Sequence, residues 1–183
     1  MTKNEVLNAI RGRRSVLRFE PKPVSDDEVE AILEAGRWAP SFANSQPWTF
    51  VVVRDEDTKA KLGALVERLA FARRGQAALT GKGVGDAPVL IAVVVDPVKD
   101  PGHWIEAGAV ATQNMALMAH SLGLASYWAG LRGRAEAEVK RILGIPRGMR
   151  VVALLPIGRP AYTPREVERV PLAEIVRRDR FGG

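Results

Sequence analysis

Apolar residues fall into segments of two kinds along this chain, some spaced as on a helix and some continuous. Val6, Leu7 and Ile10 stand at helical spacing behind Thr2 and Glu5, a T-x-x-E capping box, so a first helix is expected to end near Gly12. SDDE (25–28) is a second capping box, and Val29, Ile32 and Leu33 form the apolar stripe of a helix that stops before Pro40. WTFVVV (48–53), dense in β-branched and aromatic residues, reads as a strand. Leu62, Leu65, Val66 and Leu69 share one face of a helix running from about Asp57 to Arg73. PVLIAVVV (88–95) is apolar throughout, which predicts a central strand covered on both faces. Residues 104–122 carry alanine, glycine and methionine nearly all round, the pattern of a buried helix. A short strand at ASYWAG (125–130), a helix over about 135–143 stopped by Gly144, and a third apolar strand, VVALLPIG (151–158), follow. Beyond residue 159 there is little pattern until PLAEIV (171–176).

Strands and helices alternate with uneven spacing, and neither an internal repeat nor a linker interrupts them. The expectation is one domain, residues 1–183, built as a three-layer α/β/α sandwich. At 46% hydrophobic and 26% charged residues the composition suits such a domain. No apolar run approaches the roughly 20 residues that span a bilayer. The start of the chain, MTKNEVLNAIRGRR, lacks a basic-then-apolar signal pattern, so a cytoplasmic address is expected.

The chain has no cysteine, which excludes disulfides, a thiolate nucleophile, a CxxC pair, cysteine-held zinc and iron–sulfur clusters. His103 and His120 match no metal-ligand spacing and are expected to be structural or surface residues. Redox chemistry would therefore come from a bound organic cofactor. The net charge is +6, and of the basic residues 20 are arginine and 7 lysine. That bias suits phosphate or nucleic-acid recognition, because a guanidinium donates a bidentate fork. It equally suits a heat-adapted surface, and charge alone does not separate the two.

Three stretches carry candidate chemistry. GKGVG (81–85) matches neither GxGxxG nor a P-loop, and it precedes a strand instead of following one, so a flexible connection is expected. Lys82 within it remains a candidate contact for an anionic or electron-rich ligand. RGRRSVLRF (11–19) sets arginines and a serine where a helix gives way to extended chain. They either complement the helix dipole as solvated charges or form a phosphate socket of Arg13, Arg14 and the Ser15 hydroxyl. WAPSFANSQPWTF (38–50) interleaves Trp38, Phe42 and Trp48 with Ser41, Asn44, Ser45 and Gln46 between a helix and a strand. Polar groups beside flat apolar surface suit a heteroaromatic ring, or else the tryptophans anchor a turn.

Taken together, RRSVLRF and PVSDDEVEAILEAGRWAPSFANSQPWTFVVV resemble the nitroreductase family of FMN-dependent oxidoreductases. The likeness continues through APVLIAVVV, EAGAVATQNMALMAHSLGLASYWAG and LGIPRGMRVVALLPIGRPA, and so covers nearly the whole chain in order. The resemblance implies an α+β fold with a central mixed sheet and non-covalent FMN at a homodimer interface. By the same match, Arg13, Arg14 and Ser15 begin the phosphate-binding motif, and Arg169 is a C-terminal arginine reaching the phosphate. Leu17 stands where the family commonly has a basic residue, and Arg18 beside it is a candidate substitute. Pro40, Ser41, Asn44 and Gln46 match a segment beside the flavin ring. Trp128, Ala129 and Gly130 match a second such segment, and Lys82 falls near a lysine at the ring's pyrimidine edge.

The implied chemistry is ping-pong: NADH or NADPH gives hydride to the flavin and leaves, and a small acceptor then enters the same pocket. Family members that cleave flavin or remove halogen from tyrosine derivatives are the alternative within it, and the segment 67–85 is where specificity is expected to vary. A nucleic-acid-binding protein is the alternative outside it, although no zinc finger, helix-turn-helix or RNP signature is present and the basic residues are dispersed. Helix 104–122, with Ala107, Gly108, Ala109, Ala111, Ala116 and Ala119, leaves no broad polar face, which adds to the expectation of a homodimer.

Overall fold

A computed structural model describes residues 3–71, 78–131 and 133–181. Thr2 of the first capping box, Arg73 and the middle of the variable segment lie outside the described residues. The elements are α1 (Lys3–Gly12), α2 (Asp26–Arg37), β1 (Trp48–Val53), α3 (Glu56–Phe71), α4 (Ala78–Asp86), β2 (Val89–Val95), α5 (Trp104–Ser121), β3 (Ala125–Ser126), α6 (Arg134–Leu143), β4 (Arg150–Gly158) and α7 (Leu172–Ile175). Among the described residues no helix is long and apolar enough to cross a membrane.

The sheet runs β1-β2-β4-β3, and its strand pairs are antiparallel. Its parallel component is a single bridge from Ser15 to Ser126. Every residue of β2 is buried, as its unbroken apolar run predicts. Side chains alternate across a strand, so Val89, Ile91 and Val93 face α2 and α5 through Val29, Ile32, Met115 and Ala119. Leu90, Ala92 and Val94 face the other way, onto Leu62, Leu65, Val84 and Val139 of α3, α4 and α6. The three layers follow from that alternation. A bulge opposite Val93 and Val94 inserts Val152 into β4, which shifts the phase so that Val151 and Leu154 face α3 and α6 while Ala153 and Leu155 face α5.

Local chemistry sets the element ends. Ser25 caps α2, its hydroxyl accepting from Glu28 N while the Glu28 carboxylate accepts from Ser25 N, the reciprocal box read from the sequence. Gly144 ends α6 at φ 66°, in the left-handed region that favours glycine. On α6, Glu136 is buried and takes both forks of Arg150 at 2.7 and 2.9 Å as well as the Val151 N–H at 3.1 Å. Burial pushes its pKa up, but the Arg150 and Val151 bonds outweigh this and hold it below the ordinary 4.5. A carboxylate with a depressed pKa stabilises the fold above the unfolded value and loses that contribution as pH falls. Glu136→Gln is expected to cost about 1–2 kcal/mol at neutral pH, the lower part of the charge-assisted range because Arg150 is 43% exposed. In urea melts the gap between variant and parent closes as pH drops below 4.5.

GKGVG departs from the sequence expectation: it is not a flexible connection but lies inside α4. The glycines permit contact between backbones. A Cβ on Gly81 would lie 2.4 Å from the backbone nitrogen of Glu67 in α3. Gly63 of α3 has Gly81 and Gly85 backbone atoms 2.9 Å from its own Cβ position, so two helices meet at glycine. Gly81→Ala is expected to destabilise the protein by about 2 kcal/mol or more. The roughly 1 kcal/mol of helix propensity gained does not offset a clash with backbone that cannot rotate away. A rise in urea midpoint would contradict this packing.

Candidate functional site

The end of α1 delivers the arginine motif. Arg13 N still donates to Ala9 O at 3.0 Å, and Val16 N then donates to Ser126 O at 3.2 Å, where the chain joins β3. Arg14 directs its guanidinium to the carbonyls of Arg11 and Arg13. A cavity of about 530 Å³ opens here, lined by Arg11, Arg13, Arg14 and Arg169 with Glu166 as its carboxylate. A second, of about 350 Å³, is lined by Arg13, Arg14, His120, Ser126 and Glu166. Arg13 Nε and the Ser126 hydroxyl are buried without a hydrogen-bond partner. Buried donors are normally satisfied, so two orphans beside a surplus of guanidinium groups fit an anionic oxygen ligand such as a phosphate monoester.

Leu17 and Arg18 behave differently from that cluster. Leu17 packs against the core, and Tyr162 Oη lies 3.4 Å from its N–H. The Arg18 guanidinium stacks 5.2 Å over the Tyr162 ring and lines neither cavity. In this chain Arg18 thus rests on Tyr162, apart from the arginine cavities.

The second group sits beside this end of the sheet. Gly83 of α4 is close enough to the Leu17 carbonyl and the Tyr127 ring that a Cβ would lie 2.6 and 2.9 Å from them. Lys82, next to it, is exposed. Ala129 is fixed to Leu154 by reciprocal backbone bonds of 2.9 and 3.0 Å, which leaves Trp128 and Gly130 exposed on either side of it. Ser15, Lys82 and the 128–130 segment thus share one region.

The third group does not join them. Residues 41–46 form a tight turn in which Ala43, Asn44 and Gln46 have φ of 48°, 57° and 45°, left-handed values that cost non-glycine residues about 1–3 kcal/mol each. The turn is tied by Gln46 N donating to Ser41 Oγ at 3.0 Å and by Ser45 Oγ donating to the fully buried Asp100 at 2.9 Å. Phe42, exposed, stacks on His103 with ring centroids 4.8 Å apart. Pro40 and Ser41 line a hollow of about 250 Å³ with His103 and Val110, at the start of α5. Gln46 opens instead onto a groove shared with Glu34 and Trp48. Arg13 and Arg14 lie near His120, at the other end of α5. At 1.5 Å per residue, His103 and His120 are about 25 Å apart along that helix. One chain therefore holds the arginine group and the 40–46 group at opposite ends of one helix.

The sequence reading missed several of these neighbours. His120 is expected from sequence to be a structural or surface residue, and Ser126, Asp100 and Tyr162 carry no motif. Their spacing gave no signal, since each reaches the site only through tertiary contacts.

Comparison with known proteins follows the same outline. The profile of the Nitroreductase family matches residues 10–159. A relative from Methanothermobacter thermautotrophicus, provisionally named NADH dehydrogenase/NAD(P)H nitroreductase, is 34% identical over 169 residues, 90% of this chain and 82% of its own. The NADH dehydrogenase of Thermus thermophilus is 31% identical over 198 residues, 90% of this chain and 91% of its own. Among solved structures, a provisional nitroreductase of Desulfovibrio desulfuricans in complex with FMN is 34% identical and superposes with a TM-score of 0.79, covering 98% of this chain and 99% of that one. With a family profile spanning most of its length and relatives matched nearly end to end, the chain belongs to the nitroreductase family.

Proposed function

We propose that this protein is an FMN-dependent NAD(P)H oxidoreductase, a homodimer in which each flavin site is built from both copies. The observation that carries the reading is the separation of the site residues along α5. The arginine group and the 40–46 turn are each shaped for part of a flavin nucleotide. A single such ligand fits both only if the second group comes from a neighbouring copy. FMN in the Desulfovibrio desulfuricans relative and the NAD(P)H named for the Methanothermobacter relative supply the ligand classes.

Surface composition supports the second copy. Val6, Leu7 and Ile10 of α1 are exposed, as are Ile105 and Val110 of α5, so the apolar stripe predicted for α1 is left uncovered. The stretch 163–181 is exposed almost throughout, including Leu172 at 73% and Phe181 at 91%. The edge strand β1 is likewise unpaired on one side among the described residues. A monomer seldom leaves so much apolar surface in water.

In this reading Arg13, Arg14, Ser15 and Arg169 hold the phosphate through charge-assisted bonds. Lys82 stands at the pyrimidine edge of the ring, where a cation stabilises negative charge on it. Trp128, Ala129 and Gly130 form one wall, and Pro40, Ser41, Asn44 and Gln46 of the partner copy form another. Bound FMN supplies the two-electron chemistry, taking hydride from NADH or NADPH and passing it to a nitroaromatic, quinone or related small acceptor in two half-reactions. The chain itself orients the ring, excludes water and leaves one face open to donor and acceptor in turn.

Purified protein is expected to be yellow and to release FMN, not FAD, on denaturation. A colourless protein that takes up no added FMN would overturn the reading. Light scattering over a wide dilution range tests the shared site, since a folded, flavin-loaded monomer is incompatible with it.

A further inference from the structure

Of the titratable groups lining the cavity that Arg13 and Ser126 share, the proposed function leaves out His120 and Glu166, and of these two His120 is the one that can donate to an anion. Its ring packs directly on the end of α1, and a Cβ on Gly12 would lie 2.5 Å from its Nε2. Only glycine at position 12 leaves room for that approach. The same ring lines the cavity of about 350 Å³ that Arg13, Arg14, Ser126 and Glu166 share, the one bordered by the two orphaned donors. Ser126 is 2% exposed, so its hydroxyl has no access to bulk solvent.

We propose that His120 is a further residue of the phosphate seat, facing the anion together with Arg13 and Ser126 and taking up a proton from solvent as the dianion enters. The inference rests on the reading of an FMN site. Two sets of forces meet at the ring. It lies at the C-terminal ends of both α1 and α5, where helix carbonyls favour an imidazolium. Burial first, then Arg13 and Arg14, disfavour one and hold the pKa below the ordinary 6.5. The charged groups that line the cavity with it are Arg13 and Arg14 from the segment after α1 and Glu166 from the C-terminal stretch; β3 contributes the neutral Ser126. The charged residue of α5 itself, Glu106, is near its far end. A phosphate of charge −1.5 to about −2 placed between the arginines cancels their repulsion and adds an acceptor for the ring N–H.

The sign follows from linkage. If the bound form of His120 has the higher pKa, binding takes up protons between the free and bound values, and affinity falls as pH rises through that window, by at most about tenfold per pH unit. Above pH 7 the phosphate is already mostly dianionic and adds little of its own. FMN titrations by flavin fluorescence from about pH 6 to 9 should therefore show the parent losing affinity relative to His120→Gln as pH rises, the phosphate's own ionisation below pH 7 being common to both. Riboflavin, which lacks the phosphate, should show no such slope with either. In parallel, the His120 imidazole resonance followed by NMR should titrate at higher pH in inorganic phosphate than in chloride. FMN binding with identical slopes in parent and His120→Gln, and no phosphate effect on the ring, would overturn the proposal. A protein that takes up no FMN yet shows the phosphate-dependent ring titration would keep the seat and discard the flavin reading. Loss of both would discard both.

Discussion

Arg13→Ala is expected to weaken FMN binding about ten- to hundredfold, while Arg178→Ala leaves it within a factor of two. A charge-assisted hydrogen bond contributes about 1.5–3 kcal/mol, and each 1.4 kcal/mol is a tenfold change in affinity. Arg13 reaches the upper part of that range because its Nε is buried and lacks a partner, so the free protein already carries the desolvation cost that the phosphate would offset. Arg14 should cost less. Its guanidinium already donates to the Arg11 and Arg13 carbonyls, and a ligand must compete with those bonds. Arg178 is exposed and lines neither arginine cavity, so it reports the effect of net charge alone. Fluorescence titration of the three variants at one fixed salt concentration decides the matter. Equal losses at Arg13 and Arg178 would mean that the cluster is merely solvated.

The layers of the fold were legible because they depend on periodicity. An unbroken apolar run over 88–95 has no polar face to present, so β2 had to be central, and it is. The helix at 104–122 was expected to be covered all round, and here the chain alone does only part of that work. Met115 and Ala119 are buried on the sheet and α2, and Ala107 and Ala111 are buried too, while Ile105 and Val110 remain in water. GKGVG was misread because glycine propensity favours loops, whereas these glycines answer a tertiary demand, the contact of α4 with α3 and with Leu17, that no local pattern encodes. The same limit explains the Leu17–Arg18 pair. Arg18 is a candidate by adjacency alone; an extended chain turns successive side chains to opposite sides, and its guanidinium rests on the Tyr162 ring.

The site was legible as residue types and not as an arrangement. Polar residues among aromatics at 38–50 mark a turn whose composition suits a flat ring, and the structure adds how that turn is held. Three left-handed non-glycine residues are unfavourable alone, and the buried Asp100 fixes Ser45 beneath them. Asp100 lies 55 residues from Ser45 in the chain, and nothing in its immediate sequence marks it. His120 is similar. Two lone histidines without ligand spacing are structural by default, and only the packing on Gly12 and the shared cavity show that one of them borders the arginine cluster.

Mixing two defective proteins should restore flavin binding that neither has alone. If each site draws Arg13 and Arg14 from one copy and Asn44 and Gln46 from the other, the double variant Arg13→Ala, Arg14→Ala has two impaired phosphate ends per dimer. Asn44→Ala, Gln46→Ala has two impaired ring walls. Alanine occupies the left-handed backbone at 44 less readily than asparagine, so this variant loses some turn stability, but the Ser45–Asp100 bond that ties the turn is untouched. After denaturation and refolding of an equal mixture, random pairing gives half heterodimers. In each of these one site carries both defects and the other carries none. About a quarter of all sites should then bind FMN with the affinity of the parent, and they should appear as a distinct tight phase in titration. A site contained within one chain cannot behave this way, because every site in the mixture would keep its own defect. Titrations of the mixture that superpose on the average of the two separate variants would place the whole site in a single copy, and the separation along α5 would then need a bend or shift of the 40–46 turn to close it.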